Sequence, residues 1–363
     1  MNTQLCFYDA ELLPIQEKRE PIRFSPETEL ERLITSLDEP IPQMTAKTEA
    51  ERAYYDSMVE AQRRTKGMDK IGMETFDSLV SYYIKHRQYR NAMYLILQAN
   101  YGMRFSDVTR LRFCHICNAD GTIKESFTLP NGELKTRKVN VYYNNNATKY
   151  IIKLFLAHSR DVTMYDYLFT SESNNSGEWL TLEQTEAKEM YGNDIDRLTV
   201  KLGKCKNADK AEQITAKIVE LKRRMAEYHS ESAERHIMIQ QPISHETANT
   251  VILKDGLRRI GIKPLNCKRS DLPNTDIKLG THSFRKAFGD FFYKTGFELK
   301  EKGIAEVQIL DSTLMKLLQD KYMHSDSAVT QIYNEIEERA FKAICTRLDI
   351  GFAALLKATG ITD

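Results

Sequence analysis

The chain has 363 residues, of which 41% are hydrophobic and 28% are charged, a composition typical of a globular protein with two or three compact units. It contains no run of about 18 apolar residues, which excludes a membrane-spanning helix. The first twenty residues include four acidic side chains, whereas the start of a secretory signal would be basic, which argues against export. The six cysteines are scattered and suit a reducing cytoplasm. Cys114 and Cys117 form the only CxxC pair, and because a zinc site normally needs a second pair, no metal or other cofactor is predicted.

Charge is unevenly distributed, although the formal net charge at pH 7 is only +1. Residues 1–60 carry thirteen acidic and six basic side chains, whereas residues 251–296 carry ten basic and four acidic ones. A nearly neutral protein with this asymmetry can present one strongly basic face to a polyanion. The charge pattern alone is equally compatible with a solvated basic surface.

The first third of the chain predicts an accessory segment followed by helices and a hairpin. Residues 1–70 are proline-rich and acidic, with one helix expected at about 45–64. From about residue 72, apolar residues at helical spacing predict a helix that Gly102 interrupts, and then a second helix capped by Ser106 and Asp107. Two β-rich runs flank Asn131-Gly132, a dipeptide typical of a tight hairpin turn. A further helix is predicted at 146–159.

Residues 172–245 differ from their neighbours because they are highly charged and carry one apolar stripe with steps of four and three residues. This stripe predicts a helical insertion, a hairpin lying on its own domain, with an intermolecular coiled-coil arm as the alternative. It consists of Ile214, Ile218, Leu221, Met225 and Tyr228. Helices are then predicted near 246–260, 282–296, 312–323 and 327–356. The predicted fold class is mainly α with a small antiparallel β-sheet (α+β), with a core over 71–345 and a helical tail over 346–363.

His282 and Arg285 form the first candidate site. Three residues apart on a helix, their cationic groups share one face and point at one target. Thr281 and Ser283 suit a helix start, whose free N–H groups favour an anion, and Lys286 adds charge beside them. By itself the pair is more often a stray feature of a helix surface.

Two further candidate sites lie elsewhere in the chain. His324 is followed nine residues later by Tyr333. Arg104 comes just after the apolar helix that ends at Gly102, and Asp107 is placed to hold its guanidinium in one orientation. Taken alone, the tyrosine is more often a packing residue and the arginine a surface salt-bridge partner.

As an ordered set, these motifs resemble the tyrosine recombinase (phage integrase) family. The set is Gly-x-Arg-x-Ser-Asp after an apolar helix, a hairpin bearing lysines, His-x-x-Arg, and a histidine followed nine residues on by tyrosine. The resemblance covers about 75–345, with an interruption at 172–245, and implies a catalytic domain of that family's fold. It implies that Tyr333 is the nucleophile and that Arg104 and Arg285 clamp the scissile phosphate.

The resemblance also assigns the supporting residues. His282 and His324 would supply proton transfer and hydrogen bonds, and Asp107 matches an acidic position that orients the site. The family places a catalytic lysine in the hairpin. Lys135 fits best, with Lys124 and Lys138 as alternatives because the hairpin length is uncertain.

The implied function is site-specific DNA recombination through a 3′-phosphotyrosyl intermediate, serving integration or excision of a mobile element. Expected partners are double-stranded DNA, further copies of the chain in a tetramer on DNA, and an accessory DNA-bending protein, with no membrane. The expected location is the nucleoid in the cytoplasm of a bacterial or phage-infected cell. Candidate DNA-binding residues are Arg258, Arg259, Lys268, Arg269 and Lys286.

Two alternatives remain open from the sequence. The same residues would serve a type IB topoisomerase or a hairpin telomere resolvase, and the fold without the reaction would serve a DNA-binding architectural protein. The chain also departs from the family. Residues 1–70 are short and acidic where a basic clamp domain is common, so they are at most a reduced clamp. An apolar stripe after residue 334 predicts either packing within the chain or docking onto a neighbouring protomer.

Overall fold

The computed structural model describes residues 68–135, 138–159, 162–171, 179–266, 277–309, 313–314, 316–317 and 331–361, with only the backbone described at 331–337. Its elements are mostly helices, with two small two-stranded antiparallel sheets, which confirms the mainly α, α+β class. The N-terminal segment, including the predicted helix at 45–64, lies outside the described residues. Within the described ranges, no helix is both long enough and apolar enough to cross a bilayer.

The described elements follow in chain order. The helices are α1 (Met73–Lys85), α2 (Tyr89–Tyr101), α3 (Phe105–Val108), α4 (Phe113–Ile116), α5 (Asn146–His158), α6 (Leu182–Ala187), α7 (Asn193–Gly203), α8 (Ala208–Ala226), α9 (Gly256–Arg259), α10 (Thr281–Glu301), α11 (Gln331–Arg347) and α12 (Phe352–Thr359). The strands are β1 (Ser126–Thr128), β2 (Val141–Tyr143), β3 (Trp179–Thr181) and β4 (Met238–Gln240). Two π-helical segments, Lys188–Gly192 and Thr247–Asp255, precede α7 and α9.

The core is built around α2, in which every residue from Ala92 to Tyr101 is buried. This helix packs against α1, α5 and α10, so most of its surface is apolar. Its buried amides, Gln98 and Asn100, donate hydrogen bonds to the carbonyls of Thr281 and Ile350. The apolar run predicted as one helix before Gly102 forms two helices. The first helix ends at Lys85, because Arg87 takes a left-handed φ of 57°. The short helix α3 begins after Arg104 rather than at the predicted Ser106–Asp107 cap.

The hairpin predicted around Asn131-Gly132 exists, but its turn is not the predicted one. Strand β1 pairs antiparallel with β2, and Thr128 lies opposite Val141. A tight Asn-Gly turn would instead pair residue 130 with residue 133. The connection between β1 and β2 is therefore longer than two residues, and Gly132, at φ 63°, occupies one bend in it. In the observed register, Glu133 is buried and accepts a hydrogen bond from Tyr142 on β2.

The charged segment after residue 179 contains a helical hairpin closed at its base by a small sheet. Strand β3 pairs antiparallel with β4, so the segment leaves the core and returns to it side by side. The apolar stripe of α8 faces α7, where Ile214 and Ile218 form a small cluster with Ile195 and Leu198. The stripe is therefore satisfied within the chain, as the hairpin interpretation predicts.

The C-terminal apolar stripe also packs within the chain, although not as one continuous helix. Gly351, at φ 80°, separates α11 from α12, and a Cβ at this position would lie 2.7 Å from the Phe76 ring. Phe352 and Leu355 of α12 are buried, and this helix packs mainly on α1. Of the two sequence interpretations, packing on the chain's own core is the one observed in the described residues.

Asp349 fixes the bend before α12. Its carboxylate accepts hydrogen bonds from the Ala147 amide (3.0 Å) and the Asn146 side chain (3.1 Å). Burial outweighs these hydrogen bonds and raises the pKa of this carboxyl to about 6. Because the unfolded value is about 4, ionising the buried group lowers the free energy of unfolding as pH rises between these two values.

We expect Asp349→Asn to gain stability relative to the wild type as the pH rises from about 4 to about 7. The amide keeps an acceptor for Ala147 and cannot ionise. Urea unfolding at a series of pH values measures the difference between the two proteins. Asp120→Asn is the control, because hydrogen bonds from Thr122 lower the pKa of that carboxyl, so this variant should show no such gain. A constant difference between Asp349→Asn and wild type over this range would contradict the assignment.

Candidate active site

Arg104 is held at the junction between two helices. Helix α2 ends at Gly102, which adopts a left-handed φ of 60°, and a Cβ there would lie 2.6 Å from the Phe288 ring of α10. Only glycine allows this combination of bend and close packing. The chain then places Arg104 in extended conformation immediately before α3, with its side chain largely buried.

The His282–Arg285 pair reaches the same junction from α10. Both residues lie in the first turns of this 21-residue helix. The Arg285 guanidinium donates a hydrogen bond from Nη1 to the Gly102 carbonyl oxygen (2.8 Å). The two arginines named from sequence, 181 positions apart in the chain, are therefore brought together at the start of α10.

Glu133 is the carboxylate that orients Arg104. Its Oε2 accepts a hydrogen bond from Arg104 Nη1, and its Oε1 accepts hydrogen bonds from Tyr142 (2.8 Å) and Asn140 (3.0 Å). The side chain is 1% exposed. Burial opposes its ionisation, but the Tyr142 hydrogen bond and the charges of Arg104 and Arg285 outweigh burial and lower the pKa of Glu133. Sequence reasoning missed this residue because its position depends on the shifted hairpin register.

Asp107 does not make the contact with Arg104 that the sequence predicted. Its Oδ1 accepts a hydrogen bond from the Leu134 amide (2.8 Å) and lies 3.6 Å from Arg110 Nη2. Burial raises the pKa of this carboxyl. Asp107 instead bonds the backbone of the hairpin connection next to Lys135, and Glu133 takes the Arg104 guanidinium.

Of the three candidate lysines, Lys135 is the one whose charge affects His282. Its side chain is exposed. Lys124 instead donates from Nζ to the Cys114 carbonyl oxygen (2.8 Å). Lys138 is exposed, and its carbonyl oxygen accepts a hydrogen bond from the Glu133 amide (2.9 Å). The arrangement favours Lys135, the first choice from sequence.

His282 lies in a field of positive charge. Desolvation of the ring, followed by the charges of Arg285, Arg104, His245 and Lys135, lowers its pKa. The imidazole is therefore neutral at neutral pH in the absence of an anion, and a neutral imidazole can accept a proton.

His245 is a further basic group that sequence reasoning missed. Its Nε2 lies 3.3 Å from the Thr281 hydroxyl at the start of α10, and its ring meets Phe105 edge-on at 5.0 Å. It follows Ser244, whose hydroxyl accepts a hydrogen bond from the Thr247 amide (3.1 Å) at the start of the next helical segment. The available signal was thus a serine cap followed by histidine, which is too common to single out.

Helix α11, which contains position 333, packs against α10 through its second half. Phe341 lies against Phe292, with ring centroids 5.2 Å apart, and Ile344 lies at Gly296.

The remaining predicted residues fall into two groups. The side chain of Tyr333, together with His324, Lys268 and Arg269, lies outside the described residues. Arg258 and Arg259 lie in the last turn of α9, and Lys286 is exposed beside Arg285. Arg258 Nε lies 3.8 Å from Asp255, the last residue of the preceding π-helical segment.

The Cys114–Cys117 pair lies around α4, where Cys117 is buried and Lys124 contacts the Cys114 backbone. Among the described residues, no three histidine, cysteine or acidic side chains are grouped so as to hold a metal ion. The basic cluster at the start of α10 is instead suited to an anion, because two guanidiniums, two imidazoles and an ammonium surround one helix N-terminus.

Comparison of the chain with protein-family models, with curated proteins and with solved structures returned no match.

Replacing Glu133 by Gln should lower the free energy of unfolding by about 3 kcal/mol, because it leaves the buried side of Arg104 without its counter-charge. Since the pKa of Glu133 is lowered, this stabilisation is present at neutral pH and is lost as the pH falls below about 4. Urea unfolding at pH 7 and at pH 3 measures both effects.

Glu125→Gln is the control for charge removal alone, since the Glu125 side chain is 76% exposed in its pair with Lys149. We expect that variant to lose less than about 1 kcal/mol. Equal losses in the two variants would show that Glu133 has no special role.

Proposed function

We propose that this protein is a site-specific DNA recombinase that cleaves and rejoins DNA strands through a 3′-phosphotyrosyl intermediate. The observation that supports it most strongly is the convergence of Arg104, His282 and Arg285 at the start of α10, with Lys135 beside them on the hairpin connection. Three distant segments of the chain supply these groups. The proposed fold within the α+β class is that of a tyrosine recombinase catalytic domain.

The two arginines would bind the non-bridging oxygens of the scissile phosphate. Negative charge concentrates on these oxygens as the phosphorus becomes five-coordinate, and a guanidinium offers paired N–H donors to such oxygens. Glu133 occupies one side of Arg104, and the other N–H groups of its five-donor fork are left for a ligand. The pairing thus fixes the fork before DNA binds.

Proton transfer would involve the neighbouring groups. The Tyr333 oxygen forms a bond to phosphorus while the bond to the 5′-oxygen breaks. Neutral His282 accepts the phenolic proton, and Lys135 gives a proton to the departing 5′-oxygen, which would otherwise leave as a strong base. The phosphotyrosyl bond conserves the energy of the broken linkage, so the reverse reaction reseals the strand. His324 is proposed to donate a hydrogen bond to the same phosphate.

Binding to duplex DNA would use the basic surface next to this site. Arg258, Arg259 and Lys286 are proposed to contact backbone phosphates, together with Lys268 and Arg269. Partner exchange requires a tetramer on DNA, and an accessory DNA-bending protein is a further proposed partner. The proposed setting is the nucleoid of a bacterial or phage-infected cell, where the reaction would integrate or excise a mobile element.

Tyr333→Phe should abolish covalent protein–DNA adducts. The substrate is a set of nicked suicide duplexes tiled over the flanks of the mobile element, and adducts are detected on denaturing gels. DNA affinity should change by less than about 1 kcal/mol, because one hydroxyl contributes little to a wide interface. Tyr228→Phe is the control, since Tyr228 lies in the insertion and bonds Glu186 (3.3 Å). Adducts formed by Tyr333→Phe would contradict the proposal. A complete absence of adducts, with the wild type included, would also contradict it and would favour a DNA-binding architectural protein.

Arg285→Ala should reduce strand cleavage by at least about 100-fold, the cost typical of removing one transition-state donor. Its effect on DNA affinity should be modest, because many other phosphate contacts remain. Single-turnover cleavage and equilibrium binding on the same duplex separate the two quantities. Lys286→Ala, at the adjacent exposed position, should show the reverse pattern, with weaker binding and a nearly unchanged rate at saturation.

Relaxation of supercoiled plasmids separates the recombinase from its enzymatic alternative. A site-specific recombinase should relax only plasmids that carry its site. Relaxation of plasmids regardless of sequence would favour a type IB topoisomerase.

A further inference from the structure

We infer that Glu189, in the segment that interrupts the core, is a positioning residue for the hairpin connection that carries Lys135. Its kinetic consequence rests on the proposed function, whereas its structural consequence does not. The inference comes from a chain of buried polar contacts that leads from the π-helical segment Lys188–Gly192 to the backbone at residues 132–134.

The first part of the chain joins Glu189 to the core. The Glu189 side chain is 14% exposed. Its Oε1 accepts hydrogen bonds from the Tyr167 hydroxyl (2.6 Å) and from Arg112 Nη2 (3.1 Å). Its Oε2 lies 4.0 Å from Arg110 Nη1. One carboxylate of the insertion thus neutralises part of the charge of both Arg110 and Arg112, which precede α4. The Arg112 guanidinium also lies over the Tyr167 ring.

The second part joins Arg110 to the hairpin connection. The Arg110 side chain is 8% exposed, and its Nη2 donates to the Gly132 carbonyl oxygen (3.0 Å) while lying 3.6 Å from Asp107 Oδ1. Asp107 Oδ1 in turn accepts a hydrogen bond from the Leu134 amide (2.8 Å). Arg110 and Asp107 therefore hold the backbone on both sides of Glu133, directly before Lys135.

This arrangement makes the position of Lys135 depend on Glu189. Lys135 is exposed, so its location follows from the backbone that bears it. Within the described part of the chain, Asp107 Oδ2 and Arg110 Nε have no hydrogen-bond partner. A buried network that already contains unsatisfied groups has no spare hydrogen bonds to replace those lost when one charge is removed. Among the described residues, Glu189 and Asp107 are the carboxylates within 4 Å of Arg110, so without the charge of Glu189 only Asp107 remains. We expect Arg110 to move toward Asp107, and Asp107 to release the Leu134 amide.

Glu189→Gln tests the inference, because glutamine keeps the size and one acceptor but removes the charge. Glu186→Gln is the matched control. Glu186 is on the preceding helix, lies 3.9 Å from the same Arg112, and is not among the carboxylates within 4 Å of Arg110. Single-turnover cleavage is measured on ordinary DNA and on DNA in which sulfur replaces the departing 5′-oxygen. A thiolate leaves without protonation, so the sulfur substrate does not need Lys135 as an acid.

On ordinary DNA, Glu189→Gln should cleave at least about tenfold more slowly than wild type, the scale expected for a displaced catalytic group. On the sulfur-containing DNA its rate should return to within about twofold of wild type, and Glu186→Gln should match wild type on both substrates. An unchanged rate on ordinary DNA would overturn the inference. Equal slowing on both substrates would also overturn it, because a general structural defect predicts that result.

Hydrogen exchange of the Leu134 amide gives a readout that does not require cleavage. Exchange should be at least about tenfold faster in Glu189→Gln than in wild type or Glu186→Gln, since release from Asp107 exposes the amide. Unchanged exchange overturns the inference whatever the activity. If Glu189→Gln does not fold, Glu189→Asp replaces it, because that variant keeps the charge and withdraws it from Arg110, and the same faster exchange is expected. A wild type that cleaves neither DNA would count against the proposed function alone.

Discussion

The arrangement of the basic cluster depends on one buried carboxylate. Glu133 receives hydrogen bonds from Arg104, Tyr142 and Asn140, and so connects the helix junction after α2 with both ends of the hairpin connection. It is also the negative charge that offsets Arg104 and Arg285 before any anion binds. Without such a group, the charges of the two guanidiniums would repel each other, and Arg104 would lose the partner that orients it. The carboxylate thus makes the anion site compatible with a folded protein that has no ligand.

The hairpin connection is held by a polar layer as well as by the apolar core. Leu129, at the start of the connection, belongs to the core that also contains Phe284 and Phe288 of α10. Asp107, Arg110, Arg112 and Glu189 form the mostly buried polar layer. Such layers often add little stability compared with hydrophobic packing, but they define one arrangement of the groups they hold. For a loop that carries the proposed catalytic lysine, a defined backbone position is the more useful property.

Local patterns in the sequence predicted a large part of this site, and long-range contacts account for what was missed. Gly102 marked the bend before Arg104, and the three-residue spacing placed His282 and Arg285 on one helix face, because both depend on neighbouring residues alone. Glu133 could not be found in the same way, since its role requires a hairpin in which Thr128 faces Val141 rather than residue 135, the partner that an Asn131-Gly132 turn would give it. Asp107 was assigned to Arg104 by proximity in sequence, whereas the fold gives it the Leu134 amide 27 positions later.

The same distinction applies to the helices outside the site. The apolar stripe of α8 indicated that one face is covered, but only the fold identifies α7 as the covering helix. The stripe after residue 334 was correct in its apolar positions and wrong as a continuous helix, because the left-handed bend at Gly351 turns α12 back onto α1.

That bend helps to hold α11, the helix that contains the proposed nucleophile Tyr333. Ala340 and Ile344 of α11 are buried in the core, and α12 is packed onto the same chain, so the C-terminal end of α11 is anchored on both sides. From Ala340 back to position 333 is seven residues, about 10 Å of helix. Under the proposed function, the segment that bears the nucleophile is thus the first part of a helix whose second half is packed into the core of its own chain.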